Sequence, residues 1–273
     1  MAKKLGVMAI HGMGDPEPGF AQGMFDKLRR RLGTATDDVE FEVCYWSPIL
    51  QKQQDVTWRR IQDSGKIDAK ALRRFIISAL GDPATYLSGY FKKGQPVYAD
   101  VHECVRSSLA RLEARMRNAN AKPLVVLAHS LGSVIVSNYL WDEEHADEKH
   151  KGVGTTPFER METMTGLISY GSNIPLFLPP APPVVCVQFP HPAIPAKLAS
   201  HARWQNLYDP DDILGYPLAK IWDETNGTKI EDSAINVGLW PLSETPLSHT
   251  AYGRDDDFLD VVEQRLKEIL AIQ

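Results

Sequence analysis

Leu124–Val136 reads LVVLAHSLGSVIV. An apolar run of the kind that fills a buried strand breaks at Ala128-His129-Ser130-Leu131-Gly132, then resumes as apolar sequence. A strand ending in an ordinary loop would pass into polar turn residues. The pattern instead predicts a strand over Lys122–His129, a sharp bend at Ser130 and a buried helix from Leu131 to Trp141. Such a bend lifts the serine hydroxyl above the sheet, and the new helix aims backbone N–H groups at charge developing beside it. There is little room two positions either side of the serine, and Ala128 and Gly132 are small. The competing reading is that Ser130 only caps the helix, as serines often do.

Outward from this bend, apolar runs predict strands at Leu5–Ile10, Glu40–Trp46, Met164–Tyr170, Arg203–Tyr208 and Ser233–Gly238. Helical spacing marks Phe20–Leu32 and a terminal amphipathic helix over Phe258–Ile272, with Asp255 or Asp256 as its N-cap. Strands alternating with helices predict an α/β fold: one doubly wound, mostly parallel sheet of about six strands within a single domain spanning 1–273. Two segments interrupt the alternation. Residues 47–121 form a helical insertion, read as helices at Asp55–Ile61, Asp68–Leu80, Tyr86–Phe91 and Val97–Asn118. Residues 173–199 hold eight prolines, including LPPAPP, and predict extended chain without helix or sheet. Both leave from strand ends on one edge of the sheet, so both are expected to overhang Ser130 as walls of an apolar pocket. Trp46, Trp58, Phe75, Ile76, Ile77, Tyr86, Leu87, Tyr90 and Phe91 supply an apolar cap, against the plainer reading that they pack as core.

A net charge of −5 argues against a nucleic-acid groove, which needs a basic stripe. Cys44, Cys104 and Cys186 form no CxxC and no ligand spacing, so buried free thiols in a reducing compartment, and no metal or other cofactor, are expected. The N-terminus lacks the apolar region and cleavage site of a signal peptide, and no apolar run is long enough to span a bilayer. The expectation is a cytoplasmic protein acting on a small-molecule or lipid-like substrate.

A serine needs a base held by an acid. His249, in PLSHTAY, follows the last strand and precedes the terminal helix. His129 adjoins the serine in the tight turn, and His102 lies in a helix. His145 and His150 belong to a charge run, His191 to the proline-rich segment, and His201 stands before a strand. For the acid, WQNLYDPDDILGYPL offers Asp209, Asp211 and Asp212 after a strand. Asp212 is favoured because Ile213 and Leu214 would tuck the turn against the sheet; Asp209 and Asp211 remain alternatives. The oxyanion needs two donors: the N–H of Leu131, after the serine, and the N–H of Met13 in the HGMG loop, where glycines permit close approach.

The elbow AHSLG, the HGMG loop, SYGSNIPLF, YDPDDILGYPL and SHTAY together resemble the α/β-hydrolase superfamily on its lipase and esterase side. By that resemblance Ser130 is the nucleophile, His249 the base, Asp212 the acid, and Met13 with Leu131 the oxyanion donors. The function implied is cleavage of carboxylic esters through an acyl-enzyme. An amidase or thioesterase with the same triad is the nearer alternative. A non-catalytic interaction protein, with LPPAPP as a partner-binding strand, is the more distant one. The sequence departs from the family pattern at Ala128, where glycine is usual, by lacking antiparallel strands before the first parallel one, and by the insertion.

Overall fold

The computed structural model describes residues 3–91, 96–145, 152–178, 183–238 and 248–272. In chain order the elements are β1 (Leu5–Ile10), α1 (Gln22–Leu32), β2 (Val39–Cys44), α2 (Pro48–Ser64), α3 (Lys70–Phe91), α4 (Pro96–Met116), β3 (Leu124–His129) and α5 (Leu131–Glu144). They continue with β4 (Met164–Tyr170), α6 (Ala196–Ala199), β5 (Arg203–Tyr208), β6 (Ile230–Ala234) and α7 (Asp256–Leu270). The six strands form one sheet in the order β2-β1-β3-β4-β5-β6, and every pairing is parallel.

Parallel strands need crossovers, and these cover both faces. Met24, Phe25, Leu28 and Leu32 of α1 join Phe258, Leu259, Val262, Leu266 and Ile269 of α7 against one face. Val101, Val105, Leu109 and Leu112 of α4 join Val134, Ile135 and Tyr139 of α5 on the other. This is why β1, β3 and β4 read as continuous apolar sequence: β1 and β4 are buried at every position and β3 at all but His129. The strand order reverses between β1 and β3, since the chain steps outward from β1 to β2 and then returns to the other side. In open α/β sheets ligands bind outside the carboxyl ends of the strands at such a switch point. Ile10 pairs with Ala128 there, so the HGMG loop and Ser130 leave the sheet side by side.

The structure departs from the sequence expectations in four places. The last strand is Ile230–Ala234, not Ser233–Gly238. It is a polar edge strand, where Asp232 takes the backbone N–H groups of Leu218 and Ala219. The apolar residues that suggested a strand there leave the ladder, and Val237 packs beside α1 and α7 instead. Among its described residues the insertion holds three α-helices rather than four, because α3 runs unbroken through Pro83. Within the proline-rich segment, Ile174–Phe177 forms a 3-10 turn and Ala196–Ala199 one helical turn, and Val185 bridges to Glu224; 179–182 of LPPAPP lie outside the described residues. The cap side chains Trp46, Trp58 and Tyr86 are buried, and Trp46 and Tyr86 belong to the main core beside α4 and α5. Ile76 is exposed, Ile77 and Leu87 are half-buried, and the side chains of Phe75, Tyr90 and Phe91 lie outside the described set. Asp255 is the N-cap of α7, accepting from the N–H of Asp257.

Candidate active site

At the carboxyl end of β3 the chain turns on Ser130 with φ 51° and ψ −123°. That is a region L-residues rarely occupy, at a cost of about 1–3 kcal/mol, and it persists only where the surroundings impose it. Here they do. The Ser130 N–H donates to Tyr170 O at 3.0 Å, and the Ser133 hydroxyl donates to Ser130 O at 2.6 Å. A Cβ on Gly132 would meet His11 O at 2.8 Å and Ile10 O at 3.0 Å, so only glycine lets α5 start under the end of β1. The Ser130 side chain makes no capping bond to α5. The capping reading therefore does not account for the serine.

The Ser130 hydroxyl donates instead to His249 Nε2 at 2.8 Å. His249 Nδ1–H donates to Asp212, at 2.8 Å to Oδ2 and 3.1 Å to Oδ1. His249 lies on the 3-10 turn Ser248–Thr250, between the sheet and α7. All three residues are buried, Ser130 at 0%, His249 at 2% and Asp212 at 3% exposure. Burial pushes the Asp212 carboxyl up, but hydrogen bonds from His249, Leu214 N–H and the Tyr252 hydroxyl outweigh it and hold it below its ordinary value. Asp212 is thus a carboxylate matched to the imidazolium that forms when His249 takes a proton.

The three candidate acids separate cleanly. Asp209 accepts from Asp211 N–H at 2.8 Å and Val237 N–H at 2.7 Å, so it organises the turn. Asp211 is exposed. Asp212 alone reaches His249. The sequence argument for it rested on the wrong cause, however: Ile213 points out at 65% exposure. What turns Asp212 inward is backbone. Gly215 lies so close that a Cβ there would sit 2.6 Å from Asp212 Oδ2, and Tyr252 OH donates to the same oxygen at 3.0 Å. Burial and the Asp212 charge both raise the Tyr252 phenol, so it stays a proton donor.

His11, passed over in the sequence as part of a glycine turn, organises the loop after β1. It is stacked on Trp46 with ring centroids 4.7 Å apart. Its Nε2 accepts from the N–H groups of Trp46 and Ser47 at 3.2 and 3.3 Å, so its proton is on Nδ1, which donates to Gly12 O at 2.7 Å. Burial, only partly offset by that bond, lowers its pKa to about 4 and keeps it neutral. His129 also was set aside; its Nε2 donates to the backbone O of His249 at 2.7 Å and so holds the segment that carries the base. Burial and the neighbouring His249 lower it to about 3. Asn173, from SYGSNIPLF, places its side-chain amide 3.4 Å from Ser130 Oγ. Tyr252, three residues after His249, was legible only as part of SHTAY.

A Cβ on Gly12 would stand 2.6 Å from Ser130 Cβ and 3.1 Å from Oγ. Met13 follows directly, and its side chain is half-buried. Leu131 opens α5 and is fully buried. Met13 also lines a cavity of about 650 Å³ with Phe20, Met24, Asp15, Glu17 and Arg254. Its walls come from the β1 loop, α1, the strand ends at His129 and Tyr170, and the segment after His249. Residues of the insertion and of the proline-rich segment are not among the lining of this cavity; the first residue of the proline-rich segment, Asn173, is the one that reaches Ser130. Gly12→Ala should therefore cut the reactivity of Ser130 by about 10²-fold or more, the size of effect expected from displacing a reacting group by an ångström. The pseudo-first-order rate of phosphonate labelling measures this, and an unchanged rate would mean the loop is free to move away.

Among the described residues no group of three or more His, Cys, Asp or Glu could hold a metal ion, and no helix is long and apolar enough to cross a membrane. Cys44, Cys104 and Cys186 are free thiols; Cys44 and Cys186 are buried as expected, whereas Cys104 is only half-buried. No protein-family model matches the chain, and no curated protein shows detectable sequence similarity to it.

Proposed function

We propose that the protein is a serine hydrolase of α/β-hydrolase type that cleaves carboxylic esters through an acyl-enzyme. The observation that carries this reading is the unbroken relay Ser130 Oγ–His249 Nε2 and His249 Nδ1–Asp212, with 2.8 Å at each link. His249 takes the hydroxyl proton as Ser130 attacks the ester carbon. The oxygen charge falls to the N–H groups of Leu131 and Met13. As the tetrahedral species collapses, His249 passes the proton to the leaving alcohol. Water, deprotonated by His249, then releases the acid and restores Ser130. An amide or thioester would follow the same course with a different leaving group.

The test is covalent labelling by a fluorophosphonate, followed by mapping of the modified peptide. Adduct on Ser130 in folded protein and none after heat denaturation supports the proposal; no adduct in folded protein defeats it.

The cavity beside Met13 sets a second expectation. It is lined by the apolar Met13, Phe20 and Met24 and also by the charged Asp15, Glu17 and Arg254, which limit how much chain it can bury. For p-nitrophenyl esters of increasing length, kcat/KM should rise over the first few methylenes, by up to roughly 0.8 kcal/mol each. It should then level as the chain reaches the charged groups. A steady climb through long-chain esters would place the acyl group elsewhere.

A further inference from the structure

Met13 follows Gly12, the residue packed against Ser130, and what the proposed mechanism asks of it is its backbone N–H. Its N–H lies in the rigid plane of the Gly12–Met13 peptide, and the φ and ψ of Met13 link that plane to the next one, so fixing both planes fixes the N–H. The preceding plane carries Gly12 C=O and Met13 N–H, which point in opposite directions. His11 Nδ1–H holds that carbonyl at 2.7 Å, which turns the Met13 N–H away from the imidazole. The following plane carries the Gly14 N–H. It donates to Asp82 Oδ2 at 2.7 Å, and Asp82 is on α3 of the insertion, 68 residues away.

Asp82 is placed for this contact. The residue is 2% exposed, and its other carboxylate oxygen accepts from the Gln54 side-chain amide on α2. Two helices of the insertion thus converge on one loop amide. A second link joins the same elements next door, where the Ser47 hydroxyl donates to Asp15 Oδ1 at 2.8 Å. Gly14 has φ +95°, and a Cβ there would meet nothing within 4 Å. Glycine is present for its backbone conformation and not for room, so the loop adopts the left-handed turn that offers its N–H to Asp82.

We propose that Asp82 is a positioning residue for the Met13 N–H, and that the insertion thereby sets the oxyanion loop. The inference rests on the reading of Ser130 as nucleophile with Met13 as an oxyanion donor. It gives the insertion a task other than walling a pocket. A hydrogen bond to a carboxylate is stronger than one to a neutral acceptor, and its burial shields it from water.

The test measures kcat and KM for a short p-nitrophenyl ester in wild type, Asp82→Ala and Asp82→Asn, normalised to active sites titrated with a phosphonate, and in Ser130→Ala, normalised to protein concentration. A misaligned oxyanion donor weakens the transition state and not ground-state binding, so Asp82→Ala should lose about 10–100-fold in kcat. KM should stay within about twofold of wild type, because ester binding does not use the developing charge. Asp82→Asn keeps a side-chain carbonyl facing Gly14 and should recover kcat to within about fivefold. An unchanged kcat in Asp82→Ala would overturn the proposal, as would a loss carried wholly by KM, or equal losses in Ala and Asn that track a fall in melting temperature. Should Asp82→Ala not fold, Gln54→Leu carries the test. It frees the second carboxylate oxygen and should lower kcat about two- to fivefold at constant KM, and no change in kcat overturns the proposal. Activity that survives in Ser130→Ala would instead defeat the hydrolase reading itself, whatever the Asp82 variants do.

Discussion

Ser130→Ala will give no covalent adduct with a fluorophosphonate and will lose about 10⁴–10⁶-fold in kcat, the loss seen when a triad nucleophile is removed. The size follows from the geometry. Ser130 Oγ is the atom that meets His249 Nε2, and Ser133 and Ser172 cannot replace it. The Ser133 hydroxyl is committed to Ser130 O, and it bonds to Ser172 in turn. The fold should tolerate the change, because the Ser130 side chain caps nothing and the φ of 51° is imposed by its backbone neighbours. Alanine is no worse placed there than serine, so the melting temperature should stay within a few degrees. Adduct formation in Ser130→Ala at the wild-type rate would remove the assignment.

Asp212→Asn will reduce kcat by about 10⁴-fold, the loss expected when the base is left in the wrong tautomer. An asparagine amide turned toward Nδ1 offers a proton where His249 also offers one. His249 then keeps its proton on Nε2, facing Ser130 Oγ, and cannot accept. Leu214 N–H donates to Oδ1 and cannot accept, so it favours the amide oxygen there and puts the NH2 at the Oδ2 position, 2.8 Å from His249 Nδ1, where Tyr252 OH loses its acceptor. Asp211→Asn should leave kcat within about twofold, as an exposed substitution does. Asp209→Asn should act on stability instead, because its carboxylate anchors Asp211 and Val237 N–H groups. If Asp211→Asn were the crippling change, the acid would sit one residue earlier, with the base and nucleophile unaffected.

The elbow was legible because its demands fall on sequence neighbours. A buried strand, small residues at Ala128 and Gly132 and a buried helix all lie within thirteen positions, and each is needed for a local steric reason. The parallel sheet was legible for a similar cause, since strands covered on both faces must be apolar throughout. The last strand was misplaced because an edge strand has no such demand: Ile230–Ala234 is half-buried at best, and its polar Asp232 does the work. Asp212, favoured in the sequence, is the aspartate that meets His249, but for a reason the fold does not support, because Gly215 and Tyr252, not Ile213, turn it inward. His11, His129 and Tyr252 were not assigned roles, since each acts through partners far away in sequence: Trp46, the His249 backbone and Asp212. Nothing in one chain read along its length marks those meetings.

The clamp on Met13 separates two properties that usually change together. In the proposed mechanism this residue gives the chemistry an amide hydrogen, which every amino acid but proline possesses. What it gives to the neighbouring cavity is a thioether side chain. Position 13 can accordingly be randomised to redraw the shape of the cavity while the peptide planes on either side, held by His11 and Asp82, keep their orientation. Selectivity could drift or be engineered there by single replacements, with turnover number left largely intact.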